Sequence, residues 1–299
     1  MVRMDMRGGN VHRGRQEVTF MKVVYITGLA HSGSTLLGLL IGTHSRVTNI
    51  GEISCLRGFA QPDRSEGPGS LRYACTCGAV IASECLFWQH VNKSIHIAAG
   101  RTLADLDVNS SDDATFRRDN IRLFDAIVEV SGSDVLVDSS KVPGRLEKLM
   151  NIPDLEVIPI HLVRGATGQV HSMRKKHGGL GRHILAYNRV TWRIYRLLSK
   201  RYHVVVHYER LATDVRRELG MVMKGMGLEF ESSQLQWTHH VHHDIGGNRM
   251  RFRRDSSVEL DRSHESGLGR VSRTLIDICS LPSRRLIGEN NRWLDPCQG

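Results

Sequence analysis

Residues 21 to 41 constrain this chain more than any other stretch. Met21 to Thr27 (MKVVYIT) is a short, β-branched-rich run that closes on Gly28. It is followed by Gly28-Leu29-Ala30-His31-Ser32-Gly33-Ser34-Thr35 and then by an apolar segment. The run reads as a buried strand, and Thr35 to Ile41 reads as a helix. With glycines at 28 and 33, main-chain N–H groups of the intervening loop can wrap an anion at the positive end of the helix dipole. The frame is that of a P-loop with one omission. Gly33-Ser34-Thr35 stands where NTP-hydrolysing loops carry Gly-Lys-Ser/Thr, so the lysine that reaches the β and γ phosphates is missing. An ordinary ATPase or kinase is disfavoured.

The remaining periodicity extends this beginning into an α/β fold. Val47 to Ile50, Asp134 to Asp138, Leu155 to Val163 and Tyr202 to Tyr208 read as further strands. Helical patterns fall between them at Ser83 to Ala99, with Ser83 as N-cap, and at Asp113 to Val130, with Asp112 or Asp113 as N-cap. Another follows the last strand at Leu211 to Met226. Strands separated by helices of this length imply βαβ units. The expected fold is a P-loop-type, three-layer α/β fold with a central, mainly parallel sheet flanked by helices. Residues 57 to 78, rich in Gly, Pro, Ser and charge, read as the longest loop in the body. The expected organisation is a disordered tail over 1–20 and one domain over 21–299, with a cysteine-containing insertion around 54–100.

Lysine and arginine outnumber aspartate and glutamate by 41 to 31, which favours anionic partners without choosing among nucleotide, nucleic acid and glycan. No apolar run approaches bilayer length, and residues 1–20 have no apolar core of the kind export signals carry. Six scattered cysteines do not resemble a disulfide scaffold. A cytoplasmic protein with reduced thiols is expected.

A second motif sharpens the reading. In Leu162 to Lys176 (LVRGATGQVHSMRKK) a strand ends in Arg164, and Ser172 follows eight residues on. An arginine at a strand's carboxyl end and a hydroxyl two turns into the next helix can converge on one phosphate. Together with GLAHSGSTLL, this stretch resembles the nucleotide-binding motifs of sulfotransferases that use 3′-phosphoadenosine 5′-phosphosulfate (PAPS). Tyrosylprotein sulfotransferases and related bacterial sulfotransferases are the nearest in kind. His31 stands where that family usually places Arg or Lys.

The resemblance implies a transferase moving a sulfuryl group from PAPS to an acceptor hydroxyl or amine, and leaving adenosine 3′,5′-bisphosphate. It implies that His31, Ser32, Gly33, Ser34 and Thr35 meet the 5′-phosphosulfate, and that Arg164, Ser172 and Lys176 meet the 3′-phosphate. Tyr208, in the segment YERL, would lie near the nucleotide, and Asn248, Arg249 and Arg251 of GGNRMRFRRD would close over it. Gly51-Glu52 falls where the family carries its base, so Glu52 becomes the candidate general base. Lys141, in DSSK beyond a strand, is the candidate cation for the leaving group, because carboxyl ends of parallel strands face the ligand crevice. The acceptor, whether small molecule, glycan, lipid or peptide, stays open, and its expected place is under the segments between residues 54 and 130.

Sulfuryl transfer needs no metal, and no metal ligand is assigned. Cys75, Cys77 and Cys85, with Cys55 and His90 nearby, could assemble a zinc site, but they lack the spacing of paired CxxC knuckles, and the alternative is reduced thiols packing an excursion over the active site. His239, His240, His242 and His243 also invite a metal reading, since His239 and His243 are one helical turn apart, but they are read as the approach to the basic loop. Two rivals remain. Val135-Leu136-Val137-Asp138 resembles a Walker B strand, as in a P-loop kinase or NTPase. The arginine-rich loop would suit a noncatalytic nucleic-acid-binding protein, although its basic residues are not interleaved with aromatics. The preferred reading has no nucleic-acid partner.

Overall fold

The computed structural model describes residues 21–61 and 73–290. The expected N-terminal tail and the middle of the 57–78 loop lie outside the described residues.

Five strands form one all-parallel sheet: β1 (Met21–Gly28), β2 (Val47–Gly51), β3 (Val135–Lys141), β4 (Leu155–Val163) and β5 (Val204–His207), in the order β2-β3-β1-β4-β5. β1 lies at the centre, and its residues Val23 to Thr27 are wholly excluded from solvent. Side chains alternate across a strand, so β1 feeds two cores. Val23 and Tyr25 join a cluster on one face, and Val24 and Ile26 join another on the opposite face.

The first face is covered by α2 (Leu56–Ala60), α3 (Leu86–Ala99), α4 (Asp113–Ser131) and α5 (Pro143–Met150). α6 (Ala166–His177) and α7 (Leu180–Leu198) follow β4, and the end of α7 joins the same cluster. After β5 come α8 (Tyr208–Thr213) and α9 (Val215–Gly225). The second face is covered by α9 and by α1 (Ser34–Gly42), whose nine residues are all buried. The C-terminal helices α10 (Ser263–Gly267) and α11 (Arg270–Asn290) follow, and α11 packs on α6 and α7 in a third cluster with Val163 and Val205. The expected three-layer α/β fold is present.

Where element boundaries differ from the sequence reading, polar side chains decide. β3 runs past Asp138 to Lys141, because the hydroxyl and N–H of Ser140 bond Asp138 and its Oγ takes the Ser54 N–H at 3.0 Å, so buried polar atoms are satisfied. Ser83 does not cap a helix. It sits inside a single 3₁₀ turn, Ala82–Glu84, and α3 starts after an extended Cys85. The pattern over 211–226 is broken where Asp214 accepts the Arg217 N–H at 3.2 Å and starts α9. Asp112 caps α4 as expected, accepting from Thr115 N at 2.8 Å.

Successive connections leave β1 in opposite directions, toward β2 and β3 on one side and toward β4 and β5 on the other. Such a switch point opens a crevice at the carboxyl ends of the strands.

Candidate active site

That crevice is a cleft of about 900 Å³, and each strand delivers a polar group to it at or just past its carboxyl end. The β1–α1 loop supplies His31, Gly33, Ser34 and Thr35. Glu52 follows β2 directly, Lys141 is the last residue of β3, Arg164 follows β4, and Tyr208 follows β5. Ser172 comes from α6, and Gly247, Asn248 and Arg249 come from the late basic loop.

The β1–α1 loop has the backbone of an anion cradle. His31 (φ 68°) and Gly33 (φ 99°) both adopt left-handed conformations, and no side chain caps α1 and no acidic residue lies in its first turn. The first-turn N–H groups therefore have no intrahelical partner, and the helix dipole adds positive potential there. Gly33 is required twice over. Its φ disfavours any side chain, and a β-carbon would lie 2.7 Å from the Tyr208 ring. Thr35 Oγ1 accepts the Asn248 N–H at 2.9 Å, which ties the late basic loop to the mouth of the cradle.

On the β2–β3 side, Lys141 Nζ donates to Glu52 Oε1 and, at 3.2 Å, to Ser139 O. The Glu52 and Lys141 side chains are 21% and 14% exposed, so the pair is only partly screened. Lys141 is held at φ 67°, an uncommon conformation for a non-glycine residue, which turns the strand's last side chain toward the cleft. Glu52 is fixed from behind, its N–H donating to Ile245 O at 2.8 Å. Gly51 (φ 75°) permits that approach, since a β-carbon there would lie 2.2 Å from the same carbonyl.

On the β4–β5 side, Arg164 is nearly buried. Its Nη1 donates to His31 O at 2.9 Å, its Nη2 donates to Asp261 Oδ2 at 2.8 Å, and its guanidinium lies 4.7 Å from the centre of the Tyr208 ring. Asp261 also accepts the Ser263 N–H at 2.9 Å, and its own N–H meets Tyr208 Oη at 3.2 Å. Partial burial works to raise the Asp261 carboxyl, but the hydrogen bonds from Arg164 and Ser263 outweigh it and hold the group well below the usual carboxylate range. A carboxylate thus already sits in the arginine's fork.

Two predicted site residues do not line this cleft. Ser32 is buried within the β1–α1 loop. Arg251 is buried behind the late loop, where its Nη2 donates to Ala74 O at 2.9 Å. The side chain of Lys176 lies outside the described residues. In the other direction, the sequence reading missed Met250, Arg253, Ser257, Val258, Glu259 and Asp261, which close the cleft's outer wall. No pattern flagged Asp261, because its partner Arg164 lies 97 residues away.

No protein-family model matches the chain, and no curated protein matches it. Among solved structures, the sulfotransferase domain of a Synechococcus olefin synthase covers 89% of this chain and 93% of its own length, at 16% identity and a TM-score of 0.49. The sulfotransferase domain from the curacin biosynthetic pathway covers 85% and 97%, at 18% identity and 0.48. A Mycobacterium tuberculosis sulfotransferase covers 75% and 72%, at 13% identity and 0.46. The chain is similar to sulfotransferase domains. At these identities the likeness is one of fold.

Asp138, the Walker B-like residue, is committed elsewhere. It is wholly buried, with Oδ1 accepting from Ser140 and Oδ2 accepting from Arg145 Nε at 3.0 Å, while Arg145 Nη2 reaches Asn120 Oδ1 at 2.7 Å. A buried carboxylate bound in this way anchors α5 to β3, and Asp138 does not line the cleft. The histidine pair at 239 and 243 is also divided: His239 ends a 3₁₀ segment (Ser232–His239), whereas His243 turns toward the cysteines. Among the described residues, no helix is long and apolar enough to cross a membrane.

Proposed function

We propose that this chain is a sulfotransferase that takes the sulfuryl group from PAPS and passes it to a hydroxyl or amine acceptor. The observation that carries this reading is the meeting, in one cleft, of a main-chain anion cradle lacking the Walker lysine, an Arg164–Ser172 wall, and a Glu52–Lys141 pair. A nucleotide with anionic groups at both its 5′ and 3′ ends suits such a cleft, and the buried ion pair of Asp138 argues against a magnesium-dependent kinase.

In this reading the first-turn N–H groups of α1 and the Ser34 hydroxyl hold the 5′-phosphosulfate, and Arg164 with Ser172 grips the 3′-phosphate. PAPS supplies a sulfuryl group that carries less charge than a phosphoryl group, so main-chain dipoles and one ammonium are enough to stabilise the transfer. Glu52 accepts the acceptor's proton as the new oxygen–sulfur or nitrogen–sulfur bond forms. Lys141, swinging from Glu52, neutralises the bridging oxygen as the old sulfur–oxygen bond breaks and adenosine 3′,5′-bisphosphate departs. The contact between Glu52 and Lys141 supports this reading, in which base and cation stand side by side before the donor arrives. In this reading the acceptor sits under the 54–130 segments.

Titration calorimetry of adenosine 3′,5′-bisphosphate against ATP with Mg²⁺ tests the donor. The bisphosphate is expected to bind at least about tenfold more tightly, a difference of about 1.4 kcal/mol. Equal affinities, or tighter ATP·Mg²⁺, overturn the proposal.

A further inference from the structure

About the Cys75–Cys85 turn, away from the proposed chemistry, three thiols and an imidazole converge. The Sγ atoms of Cys75, Cys77 and Cys85 and one nitrogen of His243 all lie within 4.8 Å of one another. The sulfur separations are 3.6 Å for Cys77–Cys85 and 3.8 Å for Cys75–Cys85, and Nδ1 of His243 is 3.8 Å from Cys75 and 3.3 Å from Cys85. A tetrahedral zinc ion, with Zn–S of about 2.3 Å and Zn–N of about 2.0–2.1 Å, sets its ligands about 3.8 Å apart for two sulfurs and about 3.5 Å for sulfur and nitrogen. The four measured separations lie within about 0.3 Å of those edges. We propose that Cys75, Cys77, Cys85 and His243 bind one Zn²⁺ ion in a structural Cys₃His site.

The surroundings fit a metal centre better than packed thiols. Main-chain N–H groups of Cys77, Ala79 and Trp88 lie toward the sulfurs of Cys75, Cys77 and Cys85 in turn, donors that metal-bound sulfurs can accept. Cys85 stands at the N-terminus of α3, where the helix dipole favours negative charge. The imidazole is held by packing, since Phe87 stacks on the His243 ring at 4.9 Å with planes 4° apart, and the His243 main chain is tied by Trp88 Nε1, which donates to its carbonyl at 2.8 Å. The neighbouring carboxylate, Asp244, is engaged by the Thr76 hydroxyl at 2.7 Å, so the ligand set is soft and suits zinc rather than magnesium or calcium. Four protein ligands leave no open position, which makes the site structural rather than catalytic.

The ion would reinforce the contacts that already join two distant segments. The turn carrying Cys75 and Cys77 meets 243–245 through Thr76 N to Asp244 O at 2.9 Å and a bridge between Cys75 and Ile245. Ile245 also pairs with Gly51 and receives the Glu52 N–H, and Gly246 to Asn248 then run into the cleft. Zinc at His243 therefore anchors the base of the late loop.

Metal analysis by inductively coupled plasma mass spectrometry, on the full chain purified without a metal-affinity step, is expected to find about one zinc per chain. Cys85→Ser is expected to lose at least about tenfold in retained zinc, as is Cys77→Ser, whose exposed position spares the core; Cys279→Ser is expected to keep its zinc. Replacement by Co²⁺ should give the intense d–d bands of a tetrahedral thiolate site. Stripping zinc with a chelator should speed amide exchange over 244–249 and leave β1 protected. Sub-stoichiometric zinc, iron in its place, a disulfide between any two of the three cysteines, or full zinc in Cys77→Ser and Cys85→Ser would each overturn the assignment. None of these readouts depends on the identity of the cleft's ligand.

Discussion

Along the rim of the cleft, each polar side chain from the sheet lies within one residue of a strand's carboxyl end: Glu52 after β2, Lys141 at the end of β3, Arg164 after β4 and Tyr208 after β5. The cysteine–histidine corner takes its ligands from turns outside the sheet, with Cys85 and His243 158 residues apart. The rim is held by main-chain ladders and by two buried cores, so its side chains can change without loss of fold. The corner joins its turns by a few main-chain bonds, such as Thr76 N–H to Asp244 O, and by the side-chain cluster, so changing one of those side chains changes local order. Chemistry on the rim and attachment at the corner should therefore answer to different measurements.

The largest expected effect is that of Glu52→Gln. If the rim carries chemistry and not architecture, transfer to the best acceptor in a panel of phenols, sugars and amines, read as released adenosine 3′,5′-bisphosphate, falls by about 10²–10⁴. Bisphosphate affinity and thermal stability stay close to those of the native chain. A loss of melting temperature with turnover intact would place Glu52 with the corner residues and remove it as the base.

Arg164→Ala sharpens the contrast within the rim. A charge-assisted hydrogen bond contributes about 1.5–3 kcal/mol, so affinity for adenosine 3′,5′-bisphosphate is expected to drop by about 10- to 100-fold. Affinity for adenosine 5′-monophosphate should change little. Equal losses for the two nucleotides would show that Arg164 supports the cradle through its bond to His31 O rather than gripping a 3′-phosphate.

The smallest expected effect belongs to Asp261. Its carboxylate occupies the fork that a phosphate would need, so Asp261→Asn is expected to raise bisphosphate affinity a few-fold at pH 7. The same substitution tests the pH behaviour. Because the folded pKa lies below the unfolded one, the stabilisation from this group is fully present above the unfolded value of about 3.9 and fades as pH falls toward the folded value. The native chain should lose stability more steeply below about pH 4 than the variant does. Parallel acid limbs would show that the pair with Arg164 adds nothing to the fold.

Much of the rim was legible in the chain before folding. Val23 to Thr27 announces a buried strand because five consecutive apolar or β-branched residues bounded by glycine suit a strand covered on both faces, as in a parallel sheet. The glycines at 28 and 33 mark the loop, and strand ends point to Glu52, Lys141 and Arg164. The place of Arg251 was not legible, because a run of arginines gives charge but no direction, and this one donates to Ala74 O while Arg249 lines the cleft. Nor was the partner of Asp138, since a strand-terminal aspartate looks the same whether it meets a metal or the guanidinium of Arg145.

By itself the sequence determined the periodic and the local: which segments become strands, where glycine lets the main chain turn around an anion, and which residues follow strand ends. These signals survive in one dimension because burial repeats every two residues in strands and every three to four in helices. Only the tertiary structure decided that Asp261 fills the fork of Arg164, that Lys141 touches Glu52, and that His243 completes a set begun by three cysteines. Such pairings depend on how distant segments are laid side by side by the packing of two cores on one sheet, and no repeat along the chain encodes them.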